Sequence, residues 1–433
     1  METAFKIYNG EFNPDFFRYP AGHMNMLALI YKTCSLFANQ ITMESAYKIA
    51  WYLSNVFMAL IPVMVFSICT LLGTYVIGLI GCCLVMTSDI LLQHSQYAIV
   101  DVSLSFFCSL FFTFSIYWFM KSNFSPNKIF FLSSITGIAI SMKYTGLLLV
   151  LSLFVIIYHF IEKNPKRKGG KHFQLIFIGF TGVALLLIIS VLLTNKNYFI
   201  QILIGLTTDG ILEVEYYQLL NKLIILTLAL SLGLLVLTYF IQVKSINGLG
   251  TFISPFYLKS FFLTMISFFI FSPFTIIEIK KSFADFMYEY RHMQIGSAAQ
   301  YHYLSDTYHS IVQSIDRMYP IRFYQKIITS NFGIAGVIMA IIGVYEIMDQ
   351  RKLVGTTILS FCLLMILTIS GWQNVAVRYT LSIIPIIYVL IPLGIHRLST
   401  FLDKKYLQYN YSLALMSCLT GFEPILRWIK LFG

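Results

Sequence analysis

Charged residues stand beside long apolar runs at several places in this sequence. His94 and Asp101 lie between two apolar runs, and Lys143-Tyr144 interrupts a third. A carboxylate or an ammonium group at the end of a membrane span is costly unless it is hydrated or paired, so such residues are candidates for a functional site. The spacing of seven puts His94 and Asp101 on one face if they share a helix. Lys143 could neutralise the charge of a lipid-linked phosphate.

Each of these positions also has a purely structural explanation. Asp101 could cap the N-terminus of the helix that follows it, because aspartate is among the residues favoured there. Lys143 could extend along an apolar surface to reach the membrane interface, as lysine often does near the end of a span. The sequence leaves both alternatives open.

Two further polar clusters occur later in the chain. Asp285, Glu289, Arg291 and His292 fall within eight residues. Arg378 precedes a proline-containing apolar run, at the start of a predicted helix, where the helix dipole favours an anion rather than a cation. That unfavourable position suggests an anionic partner, although contact with lipid headgroups would also explain it.

The composition predicts an integral membrane protein of the all-α class. Hydrophobic residues make up 58% of the 433 residues and charged residues 11%, whereas a typical soluble domain has about 25% charged residues. Apolar runs near 20 residues, the length of a spanning helix, recur throughout one predicted domain, 1–433. We predict eleven spans and a weaker twelfth, at 48–72, 75–90, 101–120, 129–142, 145–160, 174–194, 222–241, 260–277, 331–347, 354–371, 380–396 and 411–428.

Basic clusters predict the orientation of this bundle. The loop 163–171 has five basic residues in nine, which places it on the cytoplasmic side by the positive-inside rule. Alternation then places Arg351-Lys352 and the segment 397–405 inside as well. The same alternation puts segments 1–47 and 278–330 outside, the latter as the one large external loop.

The run 22–37 is short for a span, and a crossing there would invert every later loop. We therefore predict a helix that lies in the outer interface. Because the basic residues do not cluster on a soluble face, no nucleic-acid partner is expected. No phosphate-binding loop or dinucleotide fingerprint is present, and we expect no cofactor. His302, Asp306 and His309 have the right types for metal ligands, but solvated loop polarity explains them better, so no metal site is predicted.

Five segments resemble, in order, the lipid-carrier-dependent glycosyltransferases of the GT-C superfamily, the protein O-mannosyltransferase and aminoarabinose-transferase-like proteins. Residues 10–20 resemble their G-(D/E)-x-N-P-x-F-F-x-Y-P stretch, and 94–104 resemble H-S-x-Y-A-x-x-D-x-x-L. Residues 137–146 resemble G-x-A-x-S-x-K-Y, and 271–292 resemble the beginning of their late external loop. Residues 377–385 resemble R-Y-x-x-P. The matches extend over most of the chain.

This resemblance implies a multipass GT-C-like bundle that transfers sugar, with inversion, from a polyprenyl- or dolichyl-phosphate-linked donor. The acceptor would be a protein, lipid or glycan at the outer or luminal face. The acceptor hydroxyl needs a base, for which Asp101 and Glu11 are the candidates. The departing lipid phosphate needs a cation, for which Lys143 and Arg378 are the candidates. The remaining candidate substrate-binding residues are His94, Tyr144, Asp285, Arg291 and His292.

One feature departs from the family pattern. The family's principal acidic pair precedes the equivalent of Gly10 and follows a first span, whereas this sequence starts at Met1-Glu2. We therefore expect the printed chain to lack that span and that pair, either as a truncated enzyme or as a non-catalytic subunit of a glycosylation complex. A multispanning transporter or lipid flippase is the other alternative, although no inverted repeat is visible.

Overall fold

A computed structural model describes residues 1–15, 17–37, 40–163, 255–279, 281–282, 285–286, 289, 292–293 and 318–403. Within these residues the regular structure is helical, as predicted. The helices, in chain order, are α1 (Glu2–Tyr8), α2 (Gly22–Cys34), α3 (Met43–Leu72), α4 (Tyr75–Met86), α5 (Asp89–Ser95), α6 (Val100–Met120), α7 (Pro126–Met142), α8 (Leu149–Lys163), α9 (Pro255–Phe271), α10 (Phe274–Ile277), α11 (Tyr319–Gln350), α12 (Lys352–Ser370) and α13 (Ile384–Asp403). Short 3-10 helices, Tyr144–Leu148 and Val377–Thr380, precede α8 and α13.

The predicted class, an all-α polytopic transmembrane bundle, is confirmed. In the described part of the chain, six helices are long and apolar enough to cross a membrane, and a bent pair, α4 and α5, brings the number to seven. Every predicted span in that part coincides with a helix or helix pair. The predicted spans 174–194, 222–241 and 411–428 lie outside the described residues, so the total of eleven or twelve remains a prediction.

Several predicted boundaries were wrong. The span 75–90 is broken after Met86 and bent by 57°, because Thr87 and Ser88 leave the helical conformation. The span 260–277 ends at Phe271, just before a Ser-Pro step. Helix α11 begins at Tyr319 rather than 331, and it is kinked at Gly333, whose φ of 66° a side chain would disfavour. The predicted loop 278–330 is therefore partly helical at its C-terminal end.

The helices are joined by polar contacts as well as by apolar packing. The Ser105 hydroxyl on α6 donates to the Leu381 carbonyl at 2.8 Å, and the Ser152 hydroxyl on α8 donates to the Thr357 carbonyl at 2.7 Å. In an apolar medium, packing and such interhelical hydrogen bonds take over from the hydrophobic effect, each bond contributing about 0.6 kcal/mol on average. These contacts connect helices that are distant in sequence and fix their relative depth.

The described segments that the basic clusters predict to be cytoplasmic lie together at one end of the bundle. Arg351, between α11 and α12, donates to the Leu72 carbonyl at the end of α3 at 2.5 Å. Arg397 on α13 forms ion pairs with Glu346 at 3.2 Å and Asp349 at 3.5 Å near the end of α11. The alternation predicted from charge is therefore consistent with the packing, while the side of the membrane stays a prediction.

Helix α2 is present where the interfacial helix was predicted, and one of its faces is buried against the bundle. A Cβ at Gly22 would lie 2.4 Å from the Ser141 hydroxyl oxygen, so glycine permits the close approach of α2 to α7. His23 is buried, and its Nδ1 lies 2.9 Å from the Ser103 hydroxyl on α6. Burial lowers the pKa of His23 to about 4, so the imidazole is neutral. The depth of helix α2 relative to a membrane remains a prediction.

Candidate functional site

A buried ion pair joins two helix ends opposite the basic end of the bundle. Lys143 Nζ donates to Asp101 Oδ1 at 2.6 Å, and the two side chains are only 6% and 7% exposed. Asp101 lies in the first turn of α6, and Lys143 directly follows the last residue of α7. Helix α7 has 17 residues, about 26 Å in length, which is less than the ~30 Å hydrocarbon core. Lys143 is buried inside the bundle rather than lying at its surface.

This geometry excludes both structural alternatives for the pair. Helix α6 has Ile99 as its N-cap, with no side-chain capping hydrogen bond, so Asp101 does not cap the helix. Lys143 is 5% exposed and therefore does not extend to the interface. Charges buried to this degree are tolerated when they are paired and hydrogen-bonded.

Two tyrosine rings surround the Lys143 ammonium group. Its Nζ lies 4.6 Å from the centre of the Tyr379 ring and 5.4 Å from that of Tyr19. Both distances are within the range of a cation–π interaction. The guanidinium carbon of Arg378 lies 5.5 Å from the centre of the same Tyr379 ring. Tyr379 therefore connects the two cations that the sequence predicted for phosphate binding.

The N-terminal motif is held against this centre by its backbone. The Phe17 amide donates to Asp285 Oδ2 at 2.7 Å, and the Tyr144 hydroxyl donates to the Phe17 carbonyl at 3.2 Å. The Ala21 amide donates to the Ser272 hydroxyl at 2.7 Å. Asp285 and Tyr144 thus position the segment that carries Arg18 and Tyr19. All five family-like segments meet here.

Two surface contacts reinforce the same junction. Lys281 forms an ion pair with Asp15, and the Asn13 side-chain amide donates to Glu278 Oε1 at 3.3 Å. Both join the N-terminal motif to the segment that follows α9. The motif is therefore fixed at its exposed end as well as beside the buried ion pair.

A cavity of about 310 Å³ opens between these segments. Its polar lining comes from Arg18, Tyr19, Lys143, Thr145 and Glu289. The other lining residues are Tyr144, Leu147, Leu148, Phe286, Met293, Thr368 and Trp372. The cavity therefore presents cations and a carboxylate beside the outer ends of α8 and α12.

Glu289 is the carboxylate of this cavity. Burial raises its pKa, while His292, Lys143, Arg18 and Arg378 act in the opposite direction. The net shift is upward, because the loss of hydration outweighs the favourable charges. A carboxylate with a raised pKa is a better proton acceptor than one exposed to water.

The structure brings together some of the predicted site residues and separates others. Asp101, Lys143, Tyr144, Asp285, His292 and Arg378 all belong to this region. His94 and Asp101 do not share a helix, because Ile99 is extended and the chain breaks between α5 and α6, so the seven-residue spacing does not place them on one face. The His94 ring instead approaches the Ile90 carbonyl, with Nδ1 at 2.8 Å.

Glu11 is exposed, and its described hydrogen bond is a backbone contact with Lys6. No described contact connects Glu11 with the cavity. Arg291 lies outside the described residues. Their predicted roles, like those of the other site residues, remain proposals.

The sequence did not single out Arg18, Tyr19, Trp372 or Tyr379. Arg18 and Tyr19 lie in the F-F-x-Y-P part of the N-terminal motif, and Tyr379 directly follows Arg378. The signal was therefore present in the family-like segments. The segments did not show that the rings of Tyr19 and Tyr379 face Lys143, which is more than a hundred residues away from each.

No group of three or more metal-ligating side chains occurs among the described residues. The weak candidates His302, Asp306 and His309 lie outside them. The described residues that line the cavity offer cations, tyrosines and a carboxylate.

Comparison with known proteins gives one family match. Residues 33–204 match the family described as dolichyl-phosphate-mannose-protein mannosyltransferase. No curated protein matches the chain. The matched segment includes both members of the buried ion pair, Asp101 and Lys143.

Solved structures of an archaeal oligosaccharyltransferase are similar in outline. The Archaeoglobus fulgidus oligosaccharyltransferase in complex with Zn and sulfate is 12% identical, covering 98% of this chain and 47% of its own, with a TM-score of 0.47. AglB from the same organism, with an inhibitory peptide and a dolichol-phosphate, is 10% identical, covering 98% of this chain and 50% of its own, with a TM-score of 0.48. This chain thus spans about half the length of the structures it matches. The predicted resemblance to glycosyltransferases of the protein mannosyltransferase type is confirmed by the family match over residues 33–204.

Proposed function

We propose that this chain transfers a sugar from a polyprenyl- or dolichyl-phosphate-linked donor to an acceptor hydroxyl at the outer or luminal membrane face, with inversion at the anomeric carbon. The observation that carries the proposal is the cavity in which Arg18 and Lys143 stand beside an apolar wall. A lipid-linked phosphate needs both features next to each other, a cation for its charge and an apolar surface for its chain. The family match supports the same reaction.

The lipid would approach along the ends of α8 and α12. Leu147 and Leu148 belong to the first turn of the span that begins at Tyr144, and Thr368 belongs to the last turn of α12. Leu147 is 59% exposed, so this wall is open to the surroundings of the bundle. A phosphate at the cavity would then have its prenyl chain directed toward the lipid.

Lys143 and Arg18 are the residues proposed to hold the phosphate, because both line the cavity. Arg378 lies behind Tyr379, and its buried Nε has no hydrogen-bond partner among the described residues. Arg378 therefore still has a donor to offer an anion. The leaving phosphate gains negative charge as the sugar departs, and fixed cations stabilise that charge most in a site that excludes water.

Asp101 is proposed as a positioning residue. Its carboxylate is already bonded to Lys143 at 2.6 Å, and it does not line the cavity. Taking a proton would remove the counter-charge of a buried lysine, which is unfavourable. Asp101 instead fixes the direction of the Lys143 ammonium group.

The test is transfer of radiolabelled sugar from polyprenyl-phosphate donors in membranes that contain the chain. Because Lys143→Met alone leaves Asp101 unpaired, the informative variant is Lys143→Met with Asp101→Asn, which removes both charges. It should bind and use the donor at least tenfold less well, whereas the surface variant Lys48→Met should behave as the wild type. Equal transfer by the double variant and the wild type would refute the proposed phosphate site. Donor binding without transfer by the wild type would instead favour a non-catalytic subunit.

A further inference from the structure

We infer that Glu289 is the group that removes the proton from the acceptor hydroxyl, an inference that rests on the proposed sugar transfer. The inference comes from the position of Glu289 in the cavity, on the same lining as Arg18, Tyr19 and Lys143. A general base must lie within hydrogen-bond reach of the hydroxyl that it deprotonates. The acceptor must enter the space where the donor's anomeric carbon lies, so its base must line that space.

The other described carboxylates of this region are already engaged or lie elsewhere. Asp101 is bonded to Lys143, and Asp285 accepts the Phe17 amide. Asp15 forms an ion pair with Lys281, and Glu278 accepts a hydrogen bond from Asn13. Glu11 is exposed. Among the described residues that line the cavity, Glu289 alone carries a carboxylate.

The proposed step balances in charge and atoms. The acceptor oxygen forms a bond to the anomeric carbon while the bond between that carbon and the phosphate oxygen breaks. The bonding electron pair leaves with the lipid phosphate, which changes from a monoanionic diester to a dianionic monoester. The hydroxyl proton moves to Glu289, which becomes neutral and later releases the proton to water. No oxidant, reductant or metal is required.

The charged groups around Glu289 make its basicity depend on whether the donor phosphate is bound. The titratable and charged groups around it are Arg18 and Tyr19 from the N-terminal motif, Lys143, His292, and Arg378 with Tyr379. The cations among them hold the pKa of Glu289 down, against the effect of burial. A bound phosphate offsets those cations and so raises the basicity of Glu289. Donor binding therefore prepares the base for the acceptor.

The experiment compares wild type, Glu289→Gln and Glu289→Asp in the full chain, with Glu44→Gln, on an exposed helix turn, as the matched control. At pH 7 the Glu289→Gln variant should transfer sugar about 10²–10⁴-fold more slowly, while it binds polyprenyl phosphate as well as the wild type or better. The Glu289→Asp variant should retain partial activity. The wild-type rate should rise with pH to a plateau, and the Glu289→Gln rate should rise without one.

Three outcomes would overturn the inference, and they are distinguishable. Transfer by Glu289→Gln within threefold of the wild type would show that another group is the base while the proposed function stands. Transfer by neither protein, from several polyprenyl-phosphate donors, would refute the proposed function and the base together. Loss of both transfer and polyprenyl-phosphate binding in Glu289→Gln would show that Glu289 holds the site together rather than acting as its base.

Discussion

The buried pair Asp101–Lys143 gives the sharpest prediction about stability. Replacing Lys143 with methionine keeps most of the side-chain volume but leaves a carboxylate that is 7% exposed without its partner. The chain contains its own control, because Lys48 and Glu44 form a pair with the same 2.6 Å separation on an exposed helix turn. The two pairs therefore differ mainly in burial.

The expected size follows from distance and environment. At 2.6 Å, two unit charges attract by about 6 kcal/mol at an effective dielectric constant of about 20. Removal of both ions from water offsets much of this attraction, by several kcal/mol per ion. Deleting one partner of a buried pair typically costs about 3–5 kcal/mol, because the other charge stays buried and unpaired. The exposed pair is screened by water, so Lys48→Met should leave stability unchanged within error.

The assay is a double-mutant cycle in detergent micelles. The four proteins are wild type, Lys143→Met, Asp101→Asn and the double variant, and each is unfolded by denaturant with helical circular dichroism as the signal. The double variant should be more stable than Lys143→Met, because a neutral amide is less costly to bury than an unpaired carboxylate. A coupling free energy of at least about 2 kcal/mol is expected, within the range for residues in direct contact.

The reasoning would be refuted by either of two results. One is a Lys143→Met protein that unfolds at the same denaturant concentration as Lys48→Met. The other is a double variant whose destabilisation equals the sum of the two single effects, which would mean that the two charges do not interact.

Three further predictions concern Glu289, the N-terminal motif and the orientation of the chain. Because burial raises the pKa of Glu289, the folded chain keeps that proton to higher pH than the unfolded chain does, and stability should fall as pH rises between the two pKa values; Glu289→Gln should lessen this fall in melting temperature between pH 5 and pH 8. Asp285→Asn weakens the contact with the Phe17 amide, so proteolysis of the N-terminal motif should be faster, and an unchanged rate would count against that contact. A cysteine at Ser310 should react with an impermeant maleimide in intact cells and one at Gly169 should not, whereas the reverse pattern would refute the predicted orientation.

The positions of the spans could be predicted because apolar runs near spanning length are a local property of the sequence. Their ends were harder to predict, since they depend on backbone turns that composition does not reveal. The break after Met86 and the kink at Gly333 both fall inside apolar stretches that average hydropathy treats as continuous.

Some residues of the candidate site could be named from the sequence, but their pairing could not. Asp101 and Lys143 were recognised separately, because each is a charge beside an apolar run. Their contact spans 42 residues and depends on where α6 begins and α7 ends. The separation of His94 from Asp101 has the same origin, because a seven-residue spacing places two residues on one face only when the helix is continuous between them.

The buried pair and the carboxylate of the cavity have different proposed roles because they differ in what they contact. Asp101 is bonded to Lys143 at 2.6 Å and holds its ammonium group in place, whereas Glu289 lines the cavity. A proton on Glu289 arrives in the proposed reaction just as the lipid phosphate gains its second negative charge. Negative charge then moves from Glu289 to the phosphate within one cavity, under the same cations, Arg18 and Lys143. Since the total charge there stays constant, the transfer requires little rearrangement of the surrounding dipoles, and this is the condition under which preorganised charges accelerate a reaction most.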